Sequence, residues 1–195
     1  MKKIIFTTAV FLTIVSGISA QIAIQSKDVM VVYAGIPSTF KAGADGEYTD
    51  VVAAPSTVIA PQSLIGLYIS ICATGKDKKG ASVALGCNKY LVKKAPKPDL
   101  FWNGIAEDGQ ANTSSGSLGC RYGNNVPFDP SLAQFQILSY SITIDGIKGS
   151  LDGSGSSISS AHLEILKSVS QGSVVIISAR VSGPYEGLVT STFKI

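Results

Sequence analysis

A single histidine, His162, and three scattered cysteines are nearly all this chain has of the side chains that hold transition metals. One histidine cannot build a multi-histidine site, and Cys72, Cys87 and Cys120 lack C-x-x-C spacing, so neither a metal nor a cofactor is expected. A serine nucleophile would need His162 and a carboxylate such as Asp145, Asp152 or Glu164, yet no G-x-S-x-G elbow is present. The glycines of 149–155 lack the lysine of a phosphate loop, and Asp145 and Asp152 miss the alternating spacing of a calcium loop. The chain therefore reads as one with no catalytic residue, and not as an enzyme. Charge is also scarce: 15% of the residues are charged, and the formal +3 falls to +1 without Lys2 and Lys3 (3 − 2 = 1). No basic stripe with interleaved aromatics exists, which leaves nucleic acid without an electrostatic footprint.

Long apolar runs are missing after the first 20 residues. Those residues have a basic start, an apolar stretch from Ile4 to Val15 and small residues up to Ala20. This is the pattern of a secretory signal peptide cleaved before Gln21, and the stretch is shorter than the ~20 residues of a spanning helix. No cysteine stands at the cleavage point to take a lipid. The expectation is an exported chain, periplasmic or at the cell surface, with no integral membrane segment after cleavage.

What remains is 45% apolar, too much for a disordered chain. Serine, threonine, glycine and valine are abundant and helix formers occur only in short runs, which predicts mainly β architecture. The stretch YLVKKAPKPDLFWNG, Tyr90 to Gly104, divides the chain: strand-type residues run into Pro96 and Pro98, which offer no backbone donor and hold their neighbours extended. Two β-sandwich domains are predicted, 21–97 and 98–195, the second with one short helix. Phe101 and Trp102 are expected to pack near the junction, with Trp102 in the second core as the alternative.

In the first half, Val29 to Tyr33 reads as a strand followed by a turn at Ala34 to Pro37, with a glycine-rich turn at 43–46. Alternation places a half-buried strand over Leu64 to Ala73, then a polar turn over Thr74 to Gly80, then a second strand region to Val92. Cys72 and Cys87 lie almost symmetrically about that turn. In an oxidising compartment the odd count leaves a cross-hairpin Cys72–Cys87 disulfide, a Cys72–Cys120 pairing, or three unpaired buried thiols.

In the second half, 111–119 reads as a surface loop. Phe135 to Asp145 reads as a strand with Leu138, Tyr140, Ile142 and Ile144 on one face and Ser139, Ser141 and Thr143 on the other. A mobile turn over 145–157 leads to a helix, Ala161 to Ser170, capped by Ser159 or Ser160, with Ile165, Leu166 and Val169 buried. Strands over Val174 to Val181 and Leu188 to Ile195 complete the chain. Val174 to Ile177 is a continuous apolar run, and Tyr33, Tyr185, Phe101 and Trp102 are aromatics for either a binding surface or the core.

Several of these stretches together resemble the carboxyl-terminal periplasmic part of the gliding-motility protein GldM and its PorM relatives, of the type IX secretion machinery of Bacteroidota. Met30 to Pro37 is similar to the family's "NVVYRGVPNP", which opens an immunoglobulin-like domain. Tyr90 to Pro98 is similar to "FRVKRIPDP", the exit into the final domain. Phe135 to Ile144 is similar to a "FTVTSFTV"-like strand, and 155–195 follows the closing order of loop, helix, "QG", a strand ending in "GP", and "FKI". The resemblance implies two immunoglobulin-like sandwiches that make protein contacts with outer-membrane-associated components. The chain replaces the family's membrane anchor with a leader, so only the distal tip is matched. A secreted or cell-surface adhesin-like protein reusing the fold is the alternative.

Overall fold

β-Branched and alternating apolar runs dominate the 23–25, 30–44 and 46–195 segments described by the computed structural model, and the protein is mainly β. The expected leader over residues 1–20, its cleavage point before Gln21, and Val29 lie outside the described residues. The strands are β1 (Ala23–Gln25), β2 (Val31–Tyr33), β3 (Pro37–Thr39), β4 (Lys41–Gly43), β5 (Thr49–Ala54), β6 (Thr57–Ile59), β7 (Tyr68–Lys76), β8 (Ser82–Lys93), β9 (Asp99–Trp102), β10 (Leu118–Arg121), β11 (Gln136–Ile144), β12 (Leu151–Ser154), β13 (Val174–Ser182) and β14 (Gly187–Lys194). The helix α1 (Ser160–Lys167) precedes β13.

Two four-stranded sheets carry the architecture, ordered β2-β8-β7-β5 and β12-β11-β13-β14, with ribbons β1-β4, β3-β6 and β9-β10 beside them. The first core sits under the first sheet, where Val32, Ile71, Ala73, Tyr90 and Val92 meet Phe40 and Ala60. The second lies between the second sheet, the β9-β10 ribbon and α1, and includes Trp102, Ile142, Leu166, Ile177 and Phe193. Burying each of these large side chains contributes roughly 1.5–3 kcal/mol.

Alternation failed wherever a bulge or a turn shifted the phase. The strand expected from Leu64 begins at Tyr68 instead. Gln62–Leu64 is a 3-10 turn after Pro61, and Gly66 has φ +85°, so Ile65 and Leu67 point outward, 38% and 55% exposed. The expected turn over Thr74 to Gly80 is shorter than read. Thr74 to Lys76 stay in β7, and the reversal is made by Asp77, whose Oδ1 accepts from Lys79 N and Ala81 N. In β11, Ile137 is opposite Val181 but Ser139 is opposite Arg180, which leaves Leu138 as the extra residue of a bulge. Leu138 is therefore 43% exposed and Ile137 takes its place in the core.

The 145–157 segment, read as a mobile turn, contains β12, which pairs with β11. Gly153 is required there, because a Cβ would stand 2.2 Å from Cζ of Tyr140, whose ring crosses over it. The 111–119 segment is not simply a surface loop: Ala111 and Leu118 are buried, and a Cβ on Gly116 would meet Ile158 O at 2.8 Å. The helix is capped by the Ser159 hydroxyl, which accepts from His162 N, and ends before Val169; of the expected stripe Leu166 alone is buried, and Ile165 is 40% exposed. Val174 to Ile177 alternates, Val175 and Ile177 inward and Ile176 outward.

Candidate functional site

The connector between the sheets has a burial repeat of three: Val92, Ala95 and Pro98 are buried while Lys93, Lys94, Pro96 and Lys97 are exposed. That is the period of a polyproline II segment, whose extended form Pro96 and Pro98 favour. Val92 belongs to the first core, and Ala95 lies in a third cluster that belongs to neither sheet. Ile36, Ala95 and Tyr122 form its buried centre, with Tyr33, Phe128 and Phe135 packed around them. Tyr122 lies between two phenylalanines, its ring centroid 5.0 Å from Phe128 and 5.1 Å from Phe135, both edge-on, and Phe128 is 5.1 Å from Tyr33. Each such pair adds about 0.5–1.5 kcal/mol beyond area burial.

Tyr122 also donates its hydroxyl hydrogen to Pro96 O at 2.9 Å, tying the aromatic group to the connector. Burial, and to a smaller degree Tyr185, pushes the phenol up to about 12. On the other side of the connector the β13-β14 loop reaches across to the first half. Pro184 is buried against Gly35, and Gln62 Nε2 donates to Pro184 O at 2.8 Å. Lys94 Nζ lies 5.2 Å from the centre of the Tyr185 ring.

Three stretches far apart in the chain thus meet here: the Ala34 to Pro37 turn, the Lys93 to Pro98 connector and the Gly183-Pro184 end of β13. The residues expected at the junction are elsewhere. Trp102 is fully buried in the second core, edge-on to Phe193 at 5.8 Å, with Nε1 donating to Ser115 O. Phe101 lies on the outer side of the β9-β10 ribbon under the Arg121 guanidinium, 4.1 Å from its ring centre. Tyr33 and Tyr185 do lie at the junction. Tyr122 and Phe128 were missed by sequence reasoning because they lie in irregular segments, where no periodicity marks an inward face, and Phe135, expected to open a strand, lies just before β11.

Cys72 and Cys87 are directly opposite in β7 and β8 and joined by a disulfide. Cys120 is a half-buried free thiol, pushed up to about 11 by burial and then by Asp99. His162 lies beside Tyr140, Nδ1 3.1 Å from the hydroxyl, which itself accepts from Ser159 N. The pair ties the helix start to β11. Among the described residues no three of His, Cys, Asp and Glu are grouped as a metal site, and no helix is long and apolar enough to cross a membrane. No protein-family model matches the chain, and no curated protein does.

Proposed function

We propose that this is a non-enzymatic, exported interaction protein with two immunoglobulin-like domains, acting like the distal tip of GldM in a type IX secretion or gliding-related envelope assembly. The observation that carries the reading is the junction. Three of the stretches that resemble the GldM and PorM family come together there, with Gly35 against Pro184, Ile36 clustered with Ala95, and Lys94 over Tyr185. A protein that works by holding partners in fixed geometry needs such a joint between its domains. A buried aromatic cluster, a stiff connector and a loop clamped by Gln62 supply one.

The protein partners are outer-membrane-associated secretion or gliding components, and neither nucleic acid nor a cofactor enters the proposal. Affinity purification of the full chain from cross-linked envelope fractions tests it, with recovery of a secretion or gliding component as the expected result. Recovery of none, with the protein found mainly in the medium or on the cell surface, would favour the adhesin-like alternative.

A further inference from the structure

Each four-stranded sheet has one face on its core and the other away from it, and the two outer faces differ in chemistry. On the second sheet, register and alternation set Ser141, Ser178 and Thr190 side by side, with Ser178 Oγ and Thr190 Oγ1 3.0 Å apart, and this hydroxyl row keeps the exposed Ile176 and Leu188 apart. Such hydroxyls are satisfied by one another and by water. On the first sheet, Val31, Leu91 and Tyr68 lie in one row across β2, β8 and β7, each out of phase with the residues that face the core. Tyr68 is 65% exposed. Lys93 and Lys89 stand on β8 on either side of that row, both exposed, and the Cys72–Cys87 disulfide follows one row beyond Lys89.

This face is bounded at both ends. Phe128 covers Tyr33 at one, and at the other Asp50 is held by Lys76 at 2.8 Å. Between those ends no carboxylate stands on the face among the described residues. The charge of the chain is divided in the same sense. Residues 21–97 have nine lysines against five acidic residues, net +4, and residues 98–195 have five basic against eight acidic, net −3.

We infer that the outer face of the first sheet is the docking surface for an acidic protein partner, with Tyr68 and Leu91 at its apolar centre and Lys89 and Lys93 at its rim. An exposed aromatic side chain beside half-buried aliphatic ones, flanked by charge of one sign, is the layout of a protein interface, in which the centre supplies affinity and the rim selects and steers the partner. The disulfide joins the two strands that carry these residues, so their relative placement is set before binding. A symmetric second copy would set this lysine-bearing face, which has no carboxylate between its ends among the described residues, against itself, which disfavours self-association through it. The apolar groups lie in the plane of a sheet and not on an amphipathic helix, which favours a protein over a bilayer. The inference rests on the proposed role as an interaction protein and names the surface that performs it.

Site-specific photo-crosslinking tests it. A photoreactive phenylalanine analogue is placed at Tyr68 and, as a control, at Ser178, in the full chain expressed in its own cells. The expected result is an adduct at position 68 with a protein of acidic isoelectric point, absent at position 178. Its yield should fall about tenfold or more in Lys89→Glu/Lys93→Glu and be unchanged in Lys78→Glu/Lys79→Glu, whose lysines lie in the β7-β8 turn. An adduct of twice the chain's own mass, a partner that is not acidic, equal labelling at both positions, or no adduct would each overturn the inference. So would binding to vesicles of phosphatidylethanolamine and phosphatidylglycerol that the Lys89→Glu/Lys93→Glu exchange abolishes. An acidic partner unconnected with secretion or gliding would leave the docking surface standing and remove the envelope assembly. No adduct, with a secretion component still co-purifying, would do the reverse.

Discussion

Gly35 and Pro184, 149 positions apart (184 − 35), are in backbone-to-ring contact at the junction of the two halves. A Cβ on Gly35 would stand 2.7 Å from Pro184 Cα, and Gly35 has φ +75°, a left-handed conformation that costs other residues roughly 1–2 kcal/mol. Gly35→Ala therefore meets both a clash and backbone strain. The expected outcome is loss of about 2 kcal/mol or more at the junction, read as increased hydrogen exchange over 33–36 and 182–187 with both sheet cores still protected. Unchanged exchange in those segments would show that the contact holds nothing.

Trp102 is fully buried in the second core, so Trp102→Ala should cost roughly 3–5 kcal/mol. The loss should fall on residues 98–195, because the first core draws on Val32 to Val92 alone. Urea unfolding followed by hydrogen exchange in each half measures this, and expression of 98–195 alone tests whether that half folds. Equal destabilisation of both halves would mean that they unfold as one unit.

The Tyr122 phenol gives the junction a pH dependence. Its value is raised from 10.0 to about 12, so the folded state holds the proton more tightly than the unfolded chain. The stabilising contribution is complete below pH 10.0 and is lost as pH rises towards about 12. Tyr122→Phe removes the hydrogen bond to Pro96 O, about 1 kcal/mol, and should flatten the fall in melting temperature across that window relative to the unaltered protein. An identical pH profile in the two proteins would remove Tyr122 from this role.

Thiol counting separates the three cysteines. With Cys72 and Cys87 joined, the denatured, unreduced protein should label at Cys120 only. In the native protein that thiol, half-buried and raised to about 11, should react far more slowly at pH 8 than after denaturation. Replacing both Cys72 and Cys87 by serine should cost up to ~3 kcal/mol for a loop of this size. Three labelled thiols in the denatured, unreduced protein would rule out the bond.

What the chain's own pattern determined is local. Period-two runs such as Ile142 to Ile144 and Val189 to Phe193 specify strands because successive side chains point to opposite faces. Pro96 and Pro98 end pairing because they have no donor, and Ser159 starts the helix because its hydroxyl meets an unpaired N–H. Tertiary structure decided where that phase was interrupted and what the irregular segments pack against. Leu138 faces solvent because β13 pairs Ile137 and Ser139 with consecutive residues, a fact of the partner strand that β11 does not contain. Trp102 entered a core rather than the junction because the second sheet offers it a face lined by Phe193. The junction itself, Tyr122 with Phe128, Phe135 and Tyr33, and Gly35 with Pro184, joins residues 95 (128 − 33) to 149 (184 − 35) positions apart or from unpatterned loops. Periodicity reports which way a side chain points along its own strand, and only the folded chain brings these partners together.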